Sequence, residues 1–339
     1  MFKYQWTNFD PKLGLYNALG VLLVLNLAEQ FEAAWVAAGI GALLAWITVL
    51  LGQARSWRGE LVGLLVYLVG GAFFSYLAHA VAPTETLRLG VMFLVTFLGM
   101  MLMTKGMHAF MVAWCLVYWF LLSPLFSSGM GLAETVNGHL IGVGVVILLH
   151  LAKRLWWRPV IGEAAEEPEL PAFRFAVVYS AVVALTMVIG LGIGARTLRA
   201  DPTLIANSAF NIISPSASQT WKNAFERMLF GTAGICCGFY LGVLFPGALA
   251  GQLVIGVSSF LALALLRVSF WPMVGTLFIM ISYQWGTMEP EAGHAIANEK
   301  IIAELVGVVL AGVAISTLSM LRQLRHRLTA NSKTDTEVN

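Results

Sequence analysis

Charge is scarce in this chain. Asp, Glu, Lys and Arg together make up 11% of its 339 residues, less than half of the roughly 25% typical of soluble domains. That deficit excludes an ordinary water-soluble globular protein. The formal net charge of +2 comes from basic residues in short segments between apolar runs, which leaves no basic surface for nucleic acid. Cysteine is almost as rare: Cys115, Cys236 and Cys237 are the only three, and all lie inside apolar runs. None has CxxC spacing and no His, Asp or Glu stands at ligand distance in sequence, so packing is their expected role and no metal site is expected. The chain also lacks a P-loop, GxSxG, HExxH, an Asp-rich pair and a glycine-rich dinucleotide turn. No catalytic residue and no cofactor is therefore expected, and the chain does not read as an enzyme. Without a nucleotide site, any work it does must draw on ion gradients or membrane potential.

What is abundant is apolar. Hydrophobic residues make up 59% of the chain, in runs long enough to cross a hydrocarbon core of about 30 Å. Six such runs fall near 13–31, 33–51, 60–82, 86–104, 107–126 and 133–152, and six more near 173–195, 200–216, 226–245, 248–268, 270–287 and 299–322. The expected fold is an all-α polytopic membrane protein with about twelve transmembrane helices. The eighth run, TLIANSAFNIISPSAS, is polar and broken by Pro215, and suits a short, tilted or re-entrant segment covered by protein. With the N-terminus inside, sixteen of the twenty Lys and Arg residues fall on the cytoplasmic side; Arg88, Arg196, Arg199 and Lys300 fall outside. The positive-inside rule then places both termini in the cytoplasm.

The chain repeats itself. Arg-Ser-Trp-Arg-Gly-Glu before the third run resembles Thr-Trp-Lys-Asn-Ala-Phe-Glu-Arg before the ninth. Gly63 and Gly70 are spaced like Gly231 and Gly238, and GHLIG at 138–142 lines up with AELVG at 303–307. The expected organisation is a first six-helix repeat over 1–155, a cytoplasmic linker over 156–172, a second repeat over 173–324 and a disordered cytoplasmic tail over 325–339. Six spans is an even number, so the repeats share one orientation and a pathway is expected near their interface.

Gly231, Gly234, Gly238 and Gly242 fall on one face of a 3.6-residue helix, a stripe that allows close helix approach, either as plain packing or as the two-fold interface between the halves, sliding during transport. Arg227 is placed at the cytoplasmic mouth of the ninth run, as a solvated residue, an anion contact or a bridge to a neighbouring helix. Glu304 lies about one turn inside the twelfth run, where a carboxylate needs a partner. Lys300, four residues earlier, could supply one at the outer interface. His139 holds the matching position of the sixth run, so a Glu/His pair linking protons to movement is a second reading. The eighth run offers Asn207, Asn211 and Ser208 as pathway-lining candidates, with Asn207 and Asn211 four apart on one face. Trp114, Tyr118, Trp119, Tyr283 and Trp285 are candidates to stack on a ring-bearing substrate.

The stretch FERMLFGTAGICCGFYLG resembles the fusaric acid resistance-like (FUSC) and aromatic acid exporter group of bacterial inner-membrane proteins. The resemblance rests on Arg227 followed by Gly231 and Thr232, and on NEKIIAELVG, where Lys300, Glu304 and Gly307 take the later motif positions. It covers about Phe173 to Leu324; the first half agrees only in organisation and in its glycines, with Gly-Leu at 63–64. The resemblance implies an inner-membrane exporter of small organic, often aromatic, carboxylic acids. It also implies a periplasmic adaptor as a partner; a homo-oligomer is a separate expectation, beside a small organic anion and the lipid bilayer. The six-span unit is similar to that of plant aluminium-activated malate transporters, which are anion channels. An anion channel or facilitator is therefore the alternative function on the same scaffold, and a membrane scaffold subunit is the non-transport one.

Overall fold

The computed structural model describes residues 6–31, 33–52, 54, 56–156, 170–199, 201–266, 268–287 and 290–337. Among them the regular structure is entirely helical. The α-helices are α1 (Pro11–Gln30), α2 (Trp35–Gly52), α3 (Trp57–Val81), α4 (Glu85–Met101), α5 (Met107–Met130), α6 (Leu132–Trp156), α7 (Phe173–Thr197), α8 (Leu204–Ile212), α9 (Ala217–Leu244), α10 (Ala248–Leu266), α11 (Phe270–Thr287) and α12 (Pro290–Glu337). Nine helices among the described residues are long and apolar enough to cross a membrane. The outward faces of α3, α9 and α12 carry exposed Val69, Phe73, Tyr240, Val309 and Val313. Such a surface is stable against acyl chains and not against water. The chain is a multi-pass membrane protein.

Local chemistry sets the helix boundaries. Asp10 accepts the Leu13 N–H at 3.0 Å, and Pro11 occupies the first turn, where its missing N–H costs nothing. Ser56 caps α3 through the Gly59 N–H at 3.2 Å. Gly106 and Gly131, with φ of 108° and 106°, turn the chain into α5 and α6 in a conformation that side chains disfavour.

Three boundaries differ from the sequence expectation. Helix α9 starts at Ala217 instead of near 226, because Ser216 accepts the Gln219 N–H at 3.5 Å and caps it upstream. Helix α12 starts at Pro290 instead of near 299 and continues to Glu337, across the segment expected to be a disordered tail. Helix α8 has nine residues, about 14 Å of rise, which is half of a crossing. Its polar, proline-terminated sequence limits it to the short segment it forms. The linker expected over 156–172 lies mostly outside the described residues.

Packing follows a regular scheme. Helix α3 packs on α5 and α2 on α6; likewise α9 packs on α11 and α8 on α12. Helix α4 packs against α7, and α10 packs against α1. The α1–α10 contact is pinned by Asn17, which donates to the Ser259 carbonyl at 2.7 Å.

The glycine stripe of α9 faces α11, within the second group of six helices. A Cβ at Gly234, Gly238 or Gly242 would strike the backbone oxygen of Gly275, Ile279 or Tyr283. This is packing by backbone approach, and it does not build the contact between the two groups of six. Gly63 and Gly70 play a milder version on α3, facing His108 and Leu116 of α5. The cysteines are free: Cys115 is buried, Cys236 half-buried and Cys237 exposed.

Gly238→Ala should therefore lower the thermal unfolding midpoint in detergent, by an amount equivalent to about 1–3 kcal/mol, although alanine is the better helix former. Gly90 has open space at its Cβ position, so Gly90→Ala should leave the midpoint unchanged or raise it by up to about 1 kcal/mol. Midpoints shifting the same way in both variants would defeat the close-approach account.

Candidate functional site

Arg227 stands in the eleventh position of α9, roughly 15 Å from its first residue. Glu304 stands in the fifteenth position of α12, roughly 20 Å from that helix's start. Both lie deep in their helices because the helices begin earlier than the apolar runs suggest. Arg227 is 1% exposed and Glu304 is 1% exposed. Arg227 is thus not a solvated residue at a helix mouth, and the cluster does not sit at the outer interface.

The two residues form a forked ion pair. Arg227 Nε donates to Glu304 Oε2 at 2.5 Å, and its Nη2 donates to Glu304 Oε1 at 3.0 Å. The guanidinium fork matches the carboxylate in plane and spacing. Arg227 Nη2 also donates to Ser208 Oγ of α8 at 3.3 Å. Lys300 Nζ lies 3.1 Å from Glu304 Oε1, a second cation paired with the same carboxylate from one turn away on α12. The Phe278 ring of α11 covers both cations, 5.6 Å from Arg227 Cζ and 5.1 Å from Lys300 Nζ, and Trp271 covers Arg227 at 5.7 Å. Two cations thus share one carboxylate in a low-dielectric interior, and the buried Asp201 acts on Lys300 from the α7–α8 connection.

The glycines of the two motifs make room for these contacts. A Cβ at Gly307 would collide with Ser208, the residue that reaches Arg227. A Cβ at Gly231 would press on the Phe278 ring that covers both cations. Thr232 is half-buried beside them. Arg227, Gly231, Lys300, Glu304 and Gly307 thus form one assembly of charges and the space their partners need.

Asn207 and Asn211 share a face of α8, as their spacing suggests: Asn211 Nδ2 donates to Asn207 Oδ1 at 2.8 Å and to the Asn207 carbonyl at 3.0 Å. The Tyr118 hydroxyl of α5 reaches both asparagines. Beside them, Trp114 stacks on Tyr118 with centroids 5.3 Å apart, and on Phe210 of α8 at 5.6 Å. This aromatic stack joins α5 to α8. Tyr283 and Trp285 lie elsewhere, with the Tyr283 hydroxyl donating to the Phe245 carbonyl at 2.7 Å.

His139 is not brought to Glu304. It is fully buried against Tyr67 and Trp119, with ring centroids at 5.1 and 4.4 Å. Its Nε2 lies 3.2 Å from the carbonyls of both Tyr67 and Leu68, so this nitrogen carries the proton. The Glu/His pair read from the sequence is replaced by Glu304 with Arg227 and Lys300. Trp119 is occupied too, donating from its indole to Ser75 Oγ at 2.9 Å.

Residues 180–314 match the family described as fusaric acid resistance protein-like. The FUSC resemblance read from the motifs is thereby shown for that segment, which contains Ser208, Arg227, Lys300 and Glu304. No curated protein and no solved structure matches the chain.

Sequence reasoning missed Trp271, Phe278 and Asp201. Asp201, in the α7–α8 connection and 5% exposed, accepts from the Thr203 N–H at 2.8 Å and the Thr203 hydroxyl at 2.6 Å. Burial pushes its carboxyl above the usual range, and the Thr203 hydrogen bonds and the Lys300 charge pull it back. The Asp-Pro-Thr spacing just before a helix was the readable signal. Trp271 and Phe278 had none, because which ring covers which charge depends on how α11 lies on α9.

Removing one member of a buried ion pair leaves an uncompensated charge, at a cost of about 3–5 kcal/mol. Arg227→Ala and Glu304→Ala should each lower the unfolding midpoint, and a double-mutant cycle should give a coupling of about 1–3 kcal/mol. Arg227→Lys keeps the charge and loses the fork, so its midpoint should fall between wild type and Arg227→Ala. Additive effects in the cycle would mean that the pair contributes no coupling to stability.

Proposed function

We propose that the protein is a bacterial inner-membrane transporter that exports small organic acids, chiefly aromatic carboxylates. The observation that carries this reading is the buried Arg227–Glu304–Lys300 cluster, which sets two cations beside stacked aromatic rings. A carboxylate is attracted by the two cations, and a ring-bearing body has Trp114, Tyr118 and Phe210 near them to stack against. The family match at 180–314 supports transport as the general role. A monoanion leaving a cell at about −100 mV gains roughly 2.3 kcal/mol, so membrane potential suffices as driving force and a proton gradient adds to it.

We further propose that helices α1–α6 and α7–α12 are two repeats in one orientation, with both termini cytoplasmic. The paired contacts support this: α3–α5 corresponds to α9–α11, α2–α6 to α8–α12, and α4–α7 to α10–α1. Glu304 and Gly307 have the spacing of His139 and Gly142, and Gly142 faces Ala38 of α2 as Gly307 faces Ser208 of α8. In this correspondence the first half has a neutral histidine site where the second has the charge cluster. Arg227 and Lys300 are buried and leave the tally of loop charges, but the excess of basic residues on one side persists. A periplasmic adaptor and a second copy are the partners this reading brings.

In proteoliposomes loaded with labelled benzoate, wild type should release the acid faster under an inside-negative potential. Glu304→Gln should abolish uphill export while remaining monodisperse in detergent. Wild-type vesicles that release no faster than empty liposomes would overturn the transport reading. Steady single-channel currents that persist in Glu304→Gln would replace the exporter with an anion channel.

A further inference from the structure

The ends of α3, α4, α5 and α7 and the start of α8 enclose a cavity of about 310 Å³, within the range of small-molecule sites. It lies between the two groups of six helices: Ala82, Met92 and Phe120 line it from one, Leu191 and Asp201 from the other. Most of its wall is apolar, and its charged side chains are Arg88 of α4 and Asp201. Arg88 Nε is buried there without a hydrogen-bond acceptor. A buried donor left unpaired is costly and uncommon, and a guanidinium N–H is met best by a carboxylate oxygen. The Asp201 oxygens already accept from Thr203. The cavity is also close to the charge cluster. Thr203 lines it, and one turn further along α8, about 6 Å away, stand Asn207 and Ser208, the latter bonded to Arg227.

We propose that this cavity is a second binding site, for a small monocarboxylate whose anionic group meets Arg88 and whose apolar body packs against Met92, Phe120 and Leu191. Asp201 gives the site its selectivity, because its carboxylate on the cavity wall repels a second negative charge and so disfavours dicarboxylates. On the transport reading above, on which the route but not the site depends, this is the station at the far end of α8 from Pro215.

Benzoate and the dianion terephthalate serve as probes, with binding to the full-length protein in detergent measured by calorimetry. Wild type should bind benzoate at least tenfold more tightly than terephthalate. Arg88→Gln should weaken benzoate at least tenfold, Arg88→Lys should recover part of that loss, and Asp201→Asn should narrow the gap between the two acids. Ala82→Phe, which fills the cavity from its rim, gives an independent loss if Arg88→Gln proves unstable. A benzoate stoichiometry that stays at the wild-type value in both Arg88→Gln and Ala82→Phe, or no benzoate binding by wild type at millimolar concentration, overturns the proposal. Benzoate flux in proteoliposomes separates the two ideas. Arg88-dependent binding without flux removes the transport reading and leaves the site, whereas flux with Arg88-independent binding removes the site and leaves the transporter.

Discussion

An ionised arginine and an ionised glutamate buried within membrane-spanning helices must find each other, and that requirement organises the second half of this protein. Neither Arg227 nor Glu304 can be held charged in a low-dielectric interior by itself. The fork between them ties α9 to α12 in a single register, since one residue of slip would rotate either side chain by about 100°. Ser208 adds α8 to the arrangement, and the Phe278 ring adds α11. Helices that bilayer forces alone would leave free to slide are thereby fixed by one set of polar contacts.

The glycines serve the same end. Without side chains at 234, 238 and 242, α9 lies against the α11 backbone, and α11 can present Phe278 over the cations. Without a side chain at 307, Ser208 comes within reach of the guanidinium. The first six helices show what the scaffold looks like without this charge. His139 is surrounded by Tyr67, Trp119 and two backbone carbonyls that meet its Nε2, and none of these partners is charged. Such an arrangement is suited to holding helices together, whereas two buried cations are suited to attracting an anion.

Much of the candidate site could be read in the chain, though not its geometry. Arg227, Lys300, Glu304 and Gly307 stand out as charges and small residues in apolar surroundings, and the pairing of Lys300 with Glu304 follows from their four-residue spacing. The Arg227–Glu304 contact did not, because the helix starts were drawn where the apolar runs begin. Ser216 and Pro290 start α9 and α12 about nine residues earlier, which moves both charges from the rim to the interior. Polar first turns look like loops by composition, and only their caps reveal them. Arg88 counted only as an outer-side charge and Asp201 did not stand out, since a cavity between helix ends leaves no periodic trace.

Composition and periodicity by themselves determined the class: a chain this poor in charge and this rich in long apolar helices has no stable folded form outside a bilayer. They also determined which residues are anomalous there, because any charge within an apolar run requires an explanation. Only the tertiary structure decided which anomalies meet. Contacts such as Arg227 with Glu304, or the approach of Ser208 to Gly307, depend on the rotation and depth of separate helices. Those follow from the packing of every other face, which no local stretch of sequence encodes.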